Sequence, residues 1–151
     1  MNAFSVRRYE IADADQLFAL IEREGEEWTY WQGANRVKYQ KALDEGITYL
    51  AFDGKILCGY VRCRDDYGFG VYVLDLLVDK AYRGKEYGRL LMEQVCRDFP
   101  ATTIYVLGDV YPYYKKLGYA EEGKVYIVKN KDEVWWKSGK LKLDANFIWI
   151  R

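Results

Sequence analysis

Arg83-Gly84-Lys85-Glu86-Tyr87-Gly88-Arg89 gathers three cations and two glycines into seven residues, between an apolar run and an apolar-periodic stretch. A strand that breaks into a basic glycine turn and then opens a helix makes an anion site. The first helical NH groups lack intrahelical partners, the dipole is positive there, and glycine lets a phosphate approach closely. Asp75 is the only acid inside the run Val71 to Val78. An unpaired buried carboxylate is costly, so Asp75 is either turned into a cleft, where it can bind an ammonium or take its proton through water, or held in a structural hydrogen bond. Glu24, Glu26 and Glu27 precede or flank Trp28, Tyr30 and Trp31. Carboxylates beside aromatics attract an ammonium by charge and cation–π contact, and the same pattern also describes a solvated acidic helix end with anchoring aromatics.

Composition narrows the chemistry. The 151 residues contain no histidine, which removes serine triads built on imidazole, the common His zinc sites and any imidazole base. No metal is expected. Lys plus Arg and Asp plus Glu both number 23, and the cations are scattered, so neither nucleic acid nor a membrane surface is an expected partner. No signal core and no apolar run of membrane-spanning length is visible, and a soluble cytoplasmic protein is the default expectation. Cys58, Cys63 and Cys96 form an odd set without Cys-x-x-Cys spacing, which predicts buried free thiols in a reducing compartment.

The elements that must position these residues follow from periodicity. Phe4 to Arg8 reads as a strand, and Asp13 or Asp15 caps a helix with Leu17, Phe18, Leu20 and Ile21 on one face. A second helix runs from Asn35 to Leu43 and ends at Gly46. Thr48 to Phe52 and Ile56 to Cys63 are strands joined by the hairpin dipeptide Asp53-Gly54. After a loop through Asp65, Asp66, Gly68 and Gly70, Val71 to Val78 is a central strand. A helix from Glu86 to Arg97 turns Leu90, Leu91, Val95 and Cys96 to the core and stops before Pro100. Thr102 to Leu107 is a strand, Pro112 opens a short helix with Tyr113, Tyr114 and Leu117, and Gly118 ends it. The final third reads as strands at Lys124 to Val128, Val134 to Trp136, Leu141 to Leu143 and Phe147 to Ile150. This order gives one α/β domain over 1–151, a mixed sheet with one parallel crossover and a β-rich segment from about 124 to 151.

Two separate segments, in order and in matching context, carry a resemblance. Leu76-x-Val78 followed by Tyr82-Arg83-Gly84-Lys85-x-x-Gly88-x-x-Leu91, and later Tyr113-Tyr114-Lys115-Lys116-Leu117-Gly118-Tyr119, make the chain resemble the GNAT superfamily of acyl-CoA-dependent N-acyltransferases. Glu86 stands where that family usually has the middle glycine of its Arg/Gln-x-x-Gly-x-Gly/Ala loop, and the family's frequent asparagine before the last helix is replaced here by a region holding Leu107 and Asp109.

The resemblance implies a mostly antiparallel central sheet with a parallel splayed pair and about four helices. It implies acetyl-CoA as cosubstrate and transfer to an amine of a small molecule or peptide by direct attack. The backbone of Leu76, Leu77 and Val78 would pair with the pantetheine arm. Arg83, Gly84, Lys85, Glu86, Tyr87, Gly88 and Arg89 would hold the pyrophosphate. Tyr114 falls at the general acid, a strand NH near Leu76 or Leu77 at the oxyanion donor, and Glu27, Trp28 and Trp31 border the acceptor cleft. A CoA-binding or protein-interaction module with this fold and no turnover is the alternative, and a P-loop hydrolase is excluded by the missing Gly-Lys-Ser/Thr ending. The tail with Trp135, Trp136 and Trp149 closes the cleft, pairs two subunits as a homodimer, or finishes the core.

Overall fold

The computed structural model describes residues 4–108 and 111–123, and the fold lies within the compact unit Met1–Ala120. The strands expected beyond residue 123 lie outside the described residues.

Five strands pair in chain order: β1 (Phe4–Arg8), β2 (Ile47–Asp53), β3 (Ile56–Asp65), β4 (Val71–Val78) and β5 (Ile104–Val106). The first three pairings are antiparallel and β4 with β5 is parallel. The β2–β3 hairpin turns where expected, with Gly54 at φ +63°, a conformation glycine adopts without a Cβ clash. Four helices flank the sheet: α1 (Ala14–Glu24), α2 (Gly33–Glu45), α3 (Tyr87–Asp98) and α4 (Tyr111–Lys116). Among the described residues no helix is long and apolar enough to cross a membrane.

Two apolar layers form on opposite sides of the sheet. Leu17, Phe18, Leu20 and Ile21 of α1 join Tyr39 and Leu43 of α2 against Leu50, Tyr60 and Leu77. Burying each such aliphatic or aromatic side chain stabilises the fold by about 2 kcal/mol relative to leaving it exposed. On the other side Leu91, Met92 and Val95 of α3 meet Ala51, Val61, Cys63, Val71 and Val73.

The membership of β4 in these layers reveals a break in its alternation. Val71 and Val73 face the α3 layer, whereas Leu77 faces the α1 and α2 layer. Strict period-two alternation would keep all odd positions on one face. The pairing explains the switch: Arg62 opposes Asp75 and the next residue, Cys63, opposes Val73, so Leu74 is an extra residue in a β-bulge.

Several expectations shift for local reasons. Gly88, Leu91, Met92 and Val95, at i, i+3, i+4 and i+7, form the buried stripe of α3, while Leu90 is half-buried and Cys96 exposed. Gly88 sets that phase, because a Cβ on it would meet the Tyr113 hydroxyl at 2.5 Å, so this position faces a close neighbour. The prediction of three buried thiols thus holds for Cys58 and Cys63 and is corrected for Cys96. Strand β5 starts later than Thr102, whose NH is drawn into a turn onto the Phe99 carbonyl. Asp13 does lie just before α1 but does not cap it with its side chain; Arg7 grips its carboxylate with two nitrogens at 2.7 Å, and the Glu10 NH adds a third bond at 2.8 Å. Asp15 instead pairs with Arg36.

Candidate active site

The end of β4 is where the sheet opens. The Val71 NH donates to Thr103 O and the Leu107 NH to Val73 O; past Val73, among the described residues, no strand pairs with this edge of β4. On the other side the Asp79 NH donates to Cys58 O, which sets Leu77 and Asp75 toward β3 and, by alternation, Leu76 toward the open edge. The bulge at Leu74 therefore determines which backbone groups the opening receives.

Strand β4 leads directly to the cradle. A one-turn 3-10 helix at Lys80–Tyr82 is capped by Asp79, whose carboxylate accepts from the Ala81 NH at 3.0 Å. Gly84 then adopts φ +82°, and Glu86 adopts φ 62° and ψ 10° as the residue before α3. The left-handed backbone at Glu86 is the physical reason glycine suits this position, because a Cβ crowds the following carbonyl there. The first helical hydrogen bond runs from the Leu90 NH to Glu86 O, so the NH groups of Tyr87, Gly88 and Arg89 precede it, and the Glu86 side chain does not cap them. No heavy atom lies within 4 Å of where a Gly84 Cβ would project. An open turn with uncapped helical NH groups fits a diphosphate.

The cradle's cations are already engaged. Arg83 reaches back along the chain, donating from Nε to Val78 O at 3.0 Å and from Nη2 to Glu24 at 2.7 Å. Lys85 Nζ lies 4.9 Å from the centre of the Tyr82 ring. Arg89 donates to both Glu86 oxygens, at 3.2 and 3.1 Å, and also to Glu93. Glu86 thus points outward along the helix toward Arg89, which holds its carboxyl below the usual glutamate range. Tyr87 stacks on Phe4 with ring centres 4.4 Å apart.

Asp75 lies on the opposite face from the α3 layer and is 7% exposed. Its Oδ2 accepts from Arg62 Nε at 2.5 Å and from the Tyr39 hydroxyl at 2.8 Å, while Tyr30 stands 3.5 Å from Oδ1. Tyr39 and Tyr60 share a hydrogen bond of 2.7 Å. Burial, then the Asp75 charge, raises the Tyr39 phenol above its ordinary range, and burial likewise raises Tyr60. Both stay neutral donors at physiological pH. Of the two environments weighed for this acid, the structure has the paired one. Tyr30 was read from sequence only as part of the aromatic segment, and Tyr39, Tyr60 and Arg62 were not singled out; the available signal was Arg62, a lone charge in the run Ile56 to Cys63 that matches the lone charge in β4.

The aromatic segment before α2 is brought over this network. Trp28 packs edge-on against Tyr30 and Tyr60, and Tyr30 stacks on Tyr39 with centres 4.2 Å apart. Trp31 is half-buried, and its indole NH has no hydrogen-bond partner among the described residues. Glu27 is exposed.

Tyr114 sits on α4, half-buried, with its ring edge-on to Tyr113 and stacked 6.3 Å from Tyr119. The ring lies against the chain just after β5: a Cβ on Gly108 would stand 2.1 Å from Tyr114 Cε2. Gly118 at φ +79° ends the following turn, as expected.

Comparison with known proteins agrees with this geometry. The profile described as "Acetyltransferase (GNAT) family" matches residues 11–119, a span that includes β4, the cradle and α4. Among curated proteins, the chain is 31% identical over 70 residues to "Histone acetyltransferase TAP1" of Glycine max, covering 43% of this chain and 30% of that one. The chain spans less than a third of the length of the curated relatives it matches. Among solved structures, the GNAT family protein SP0256 from Streptococcus pneumoniae TIGR4 superposes with a TM-score of 0.66 at 22% identity, covering 85% of this chain and 100% of that one. AAC(6')-Iy, solved with the bisubstrate analog CoA-S-monomethyl-acetylneamine, gives 0.66 at 12% identity, covering 85% and 99%. With a mixed five-stranded sheet, an opening after β4 and a family match across most of its length, this chain belongs to the Acetyltransferase (GNAT) family.

Proposed function

We propose that the chain is a single N-acetyltransferase domain that moves an acetyl group from acetyl-CoA to a primary amine of a small molecule or peptide by direct attack. The observation that carries this reading is the junction of the β4 edge, unpaired past Val73 among the described residues, with the N-terminus of α3, which none of their side chains caps. One end can hold an extended amide-bearing arm and the other a diphosphate.

Bound acetyl-CoA supplies a thioester as the acyl donor. The backbone of Leu76, Leu77 and Val78 flanks its arm, and the Leu76 NH, turned to the open edge, donates to the carbonyl oxygen as negative charge builds there. The residues Arg83, Gly84, Lys85, Glu86, Tyr87, Gly88 and Arg89 surround the diphosphate. The Tyr114 hydroxyl donates a proton to the departing thiolate and recovers one, through water, from the attacking nitrogen as it becomes the amide. Glu27, Trp28 and Trp31 receive the acceptor, by charge and ring faces. Asp75 is a positioning residue in this reading, because Arg62 and Tyr39 already occupy one of its oxygens and it anchors the tyrosines beneath Trp28. Holding donor and amine together supplies much of the acceleration for an activated thioester, which suits a chain with no histidine.

Titrating acetyl-CoA while following thiol release over an amine panel tests the reading. Release with at least one amine supports it, and binding without release on any amine leaves the turnover-free module. Tyr114→Phe should lower turnover with little change in acetyl-CoA affinity, and unchanged turnover removes Tyr114 as the acid.

A further inference from the structure

We propose that the Glu86–Arg89 ion pair is a latch on the diphosphate cradle, so that Arg89 must exchange the Glu86 carboxylate for the ligand's phosphate oxygens when CoA binds. The inference rests on the acyl-CoA reading of that cradle and deepens it.

Three observations converge on Glu86. Its backbone takes the left-handed turn that opens α3, so its side chain starts at the mouth of the cradle. Its two oxygens meet Nε and Nη2 of Arg89, in the forked geometry by which a guanidinium also grips a phosphate. Arg89 is held from the other side by Glu93, which leaves two carboxylates around one guanidinium. A diphosphate therefore meets an arginine that is already neutralised. Glu86 is well exposed, with 66% of its side chain accessible, so screening keeps the pair weak enough to open. Lys116 on α4 is the other cation that favours the Glu86 charge.

The latch differs from simple repulsion in how two substitutions combine. Repulsion between Glu86 and phosphate acts whether or not Arg89 is present, whereas a latch has nothing to hold once Arg89 is removed. Isothermal titration of CoA and of acetylpantetheine, which lacks the diphosphate, into the intact chain and into Glu86→Gln, Arg89→Gln and the double variant tests this. Glu86→Gln should tighten CoA roughly fivefold and leave acetylpantetheine unchanged, and the gain should disappear in the Arg89→Gln background. An unchanged CoA affinity in Glu86→Gln, an equal gain for acetylpantetheine, or a gain that persists in full without Arg89 overturns the latch. CoA binding to none of the four proteins overturns the acyl-CoA reading itself, a separate result from failure of the latch.

Discussion

Arg62 on β3 and Asp75 on β4 face each other as cross-strand partners, their side chains 14% and 6% exposed and joined at 2.5 Å. Removing one partner strands the other charge. Asp75→Ala should lower stability by about 3 kcal/mol, because Arg62 stays charged in a poorly hydrated position and Tyr39 loses its acceptor. The double change Arg62→Met with Asp75→Leu should cost far less than either single change. Urea unfolding of the three variants measures both statements, and a double variant as unstable as the worse single one would refute the pairing account.

Acid should act through Asp13. The bidentate bond from Arg7 holds its carboxyl below the ordinary value of 3.8. Because the folded chain binds that proton less readily than the unfolded chain, the contribution is fully present above about pH 4 and is lost as pH falls through the lower folded value. Asp13→Asn should therefore lower Tm at neutral pH and make the decline below pH 4 shallower. Scanning calorimetry from pH 2.5 to 7 reads the difference, and parallel curves for the two proteins would rule it out.

Thiol chemistry should separate the cysteines. Burial pushes Cys58 up to about 11 and Cys63 up to about 12, while Cys96 is exposed on α3. Since the thiolate is the reactive form, iodoacetamide at pH 8 should modify one site quickly and two slowly. Mass spectrometry should place the fast adduct on Cys96, and Cys96→Ala should abolish the fast phase; a fast phase surviving that change would contradict it.

Gly108 should matter for turnover although it has no side chain. A methyl group there would sit 2.1 Å from Tyr114 Cε2, so Gly108→Ala must push the ring or the backbone aside. On the proposed role of Tyr114, kcat should fall by about tenfold or more, while CoA affinity stays near wild type. Steady-state kinetics beside a CoA titration checks it, and an equal loss in both would point to a general collapse instead.

Much of the fold was legible because it depends on local pattern. The strand Phe4–Arg8, the Asp53-Gly54 hairpin and the stripe of α1 came out as read. What escaped depends on partners. Apart from Tyr72 and Asp75, Val71 to Val78 is apolar throughout, and its composition does not mark the bulge; only the register against β3 decides it. The phase of α3 slipped because a glycine, invisible to hydrophobic periodicity, is the residue pressed against Tyr113. For the site, the cradle and its odd glutamate were visible as a motif. The left-handed backbone that explains the oddity, and the Arg62 and Tyr39 partners of Asp75, required three-dimensional neighbours.

The extra residue at Leu74 gives β4 a parity. Pairing it in register instead, with Leu74 opposite Arg62 and no bulge, would preserve the strand's apolar content and let pairing with β3 continue, yet everything downstream would rotate by half a turn. Asp75 would move beneath α3, away from Arg62 and the tyrosines, and the open edge would offer the NH of Leu77 in place of that of Leu76. Whether Leu74 is taken up in a bulge or paired in register, more than side-chain identity, is what the opening in this sheet depends on.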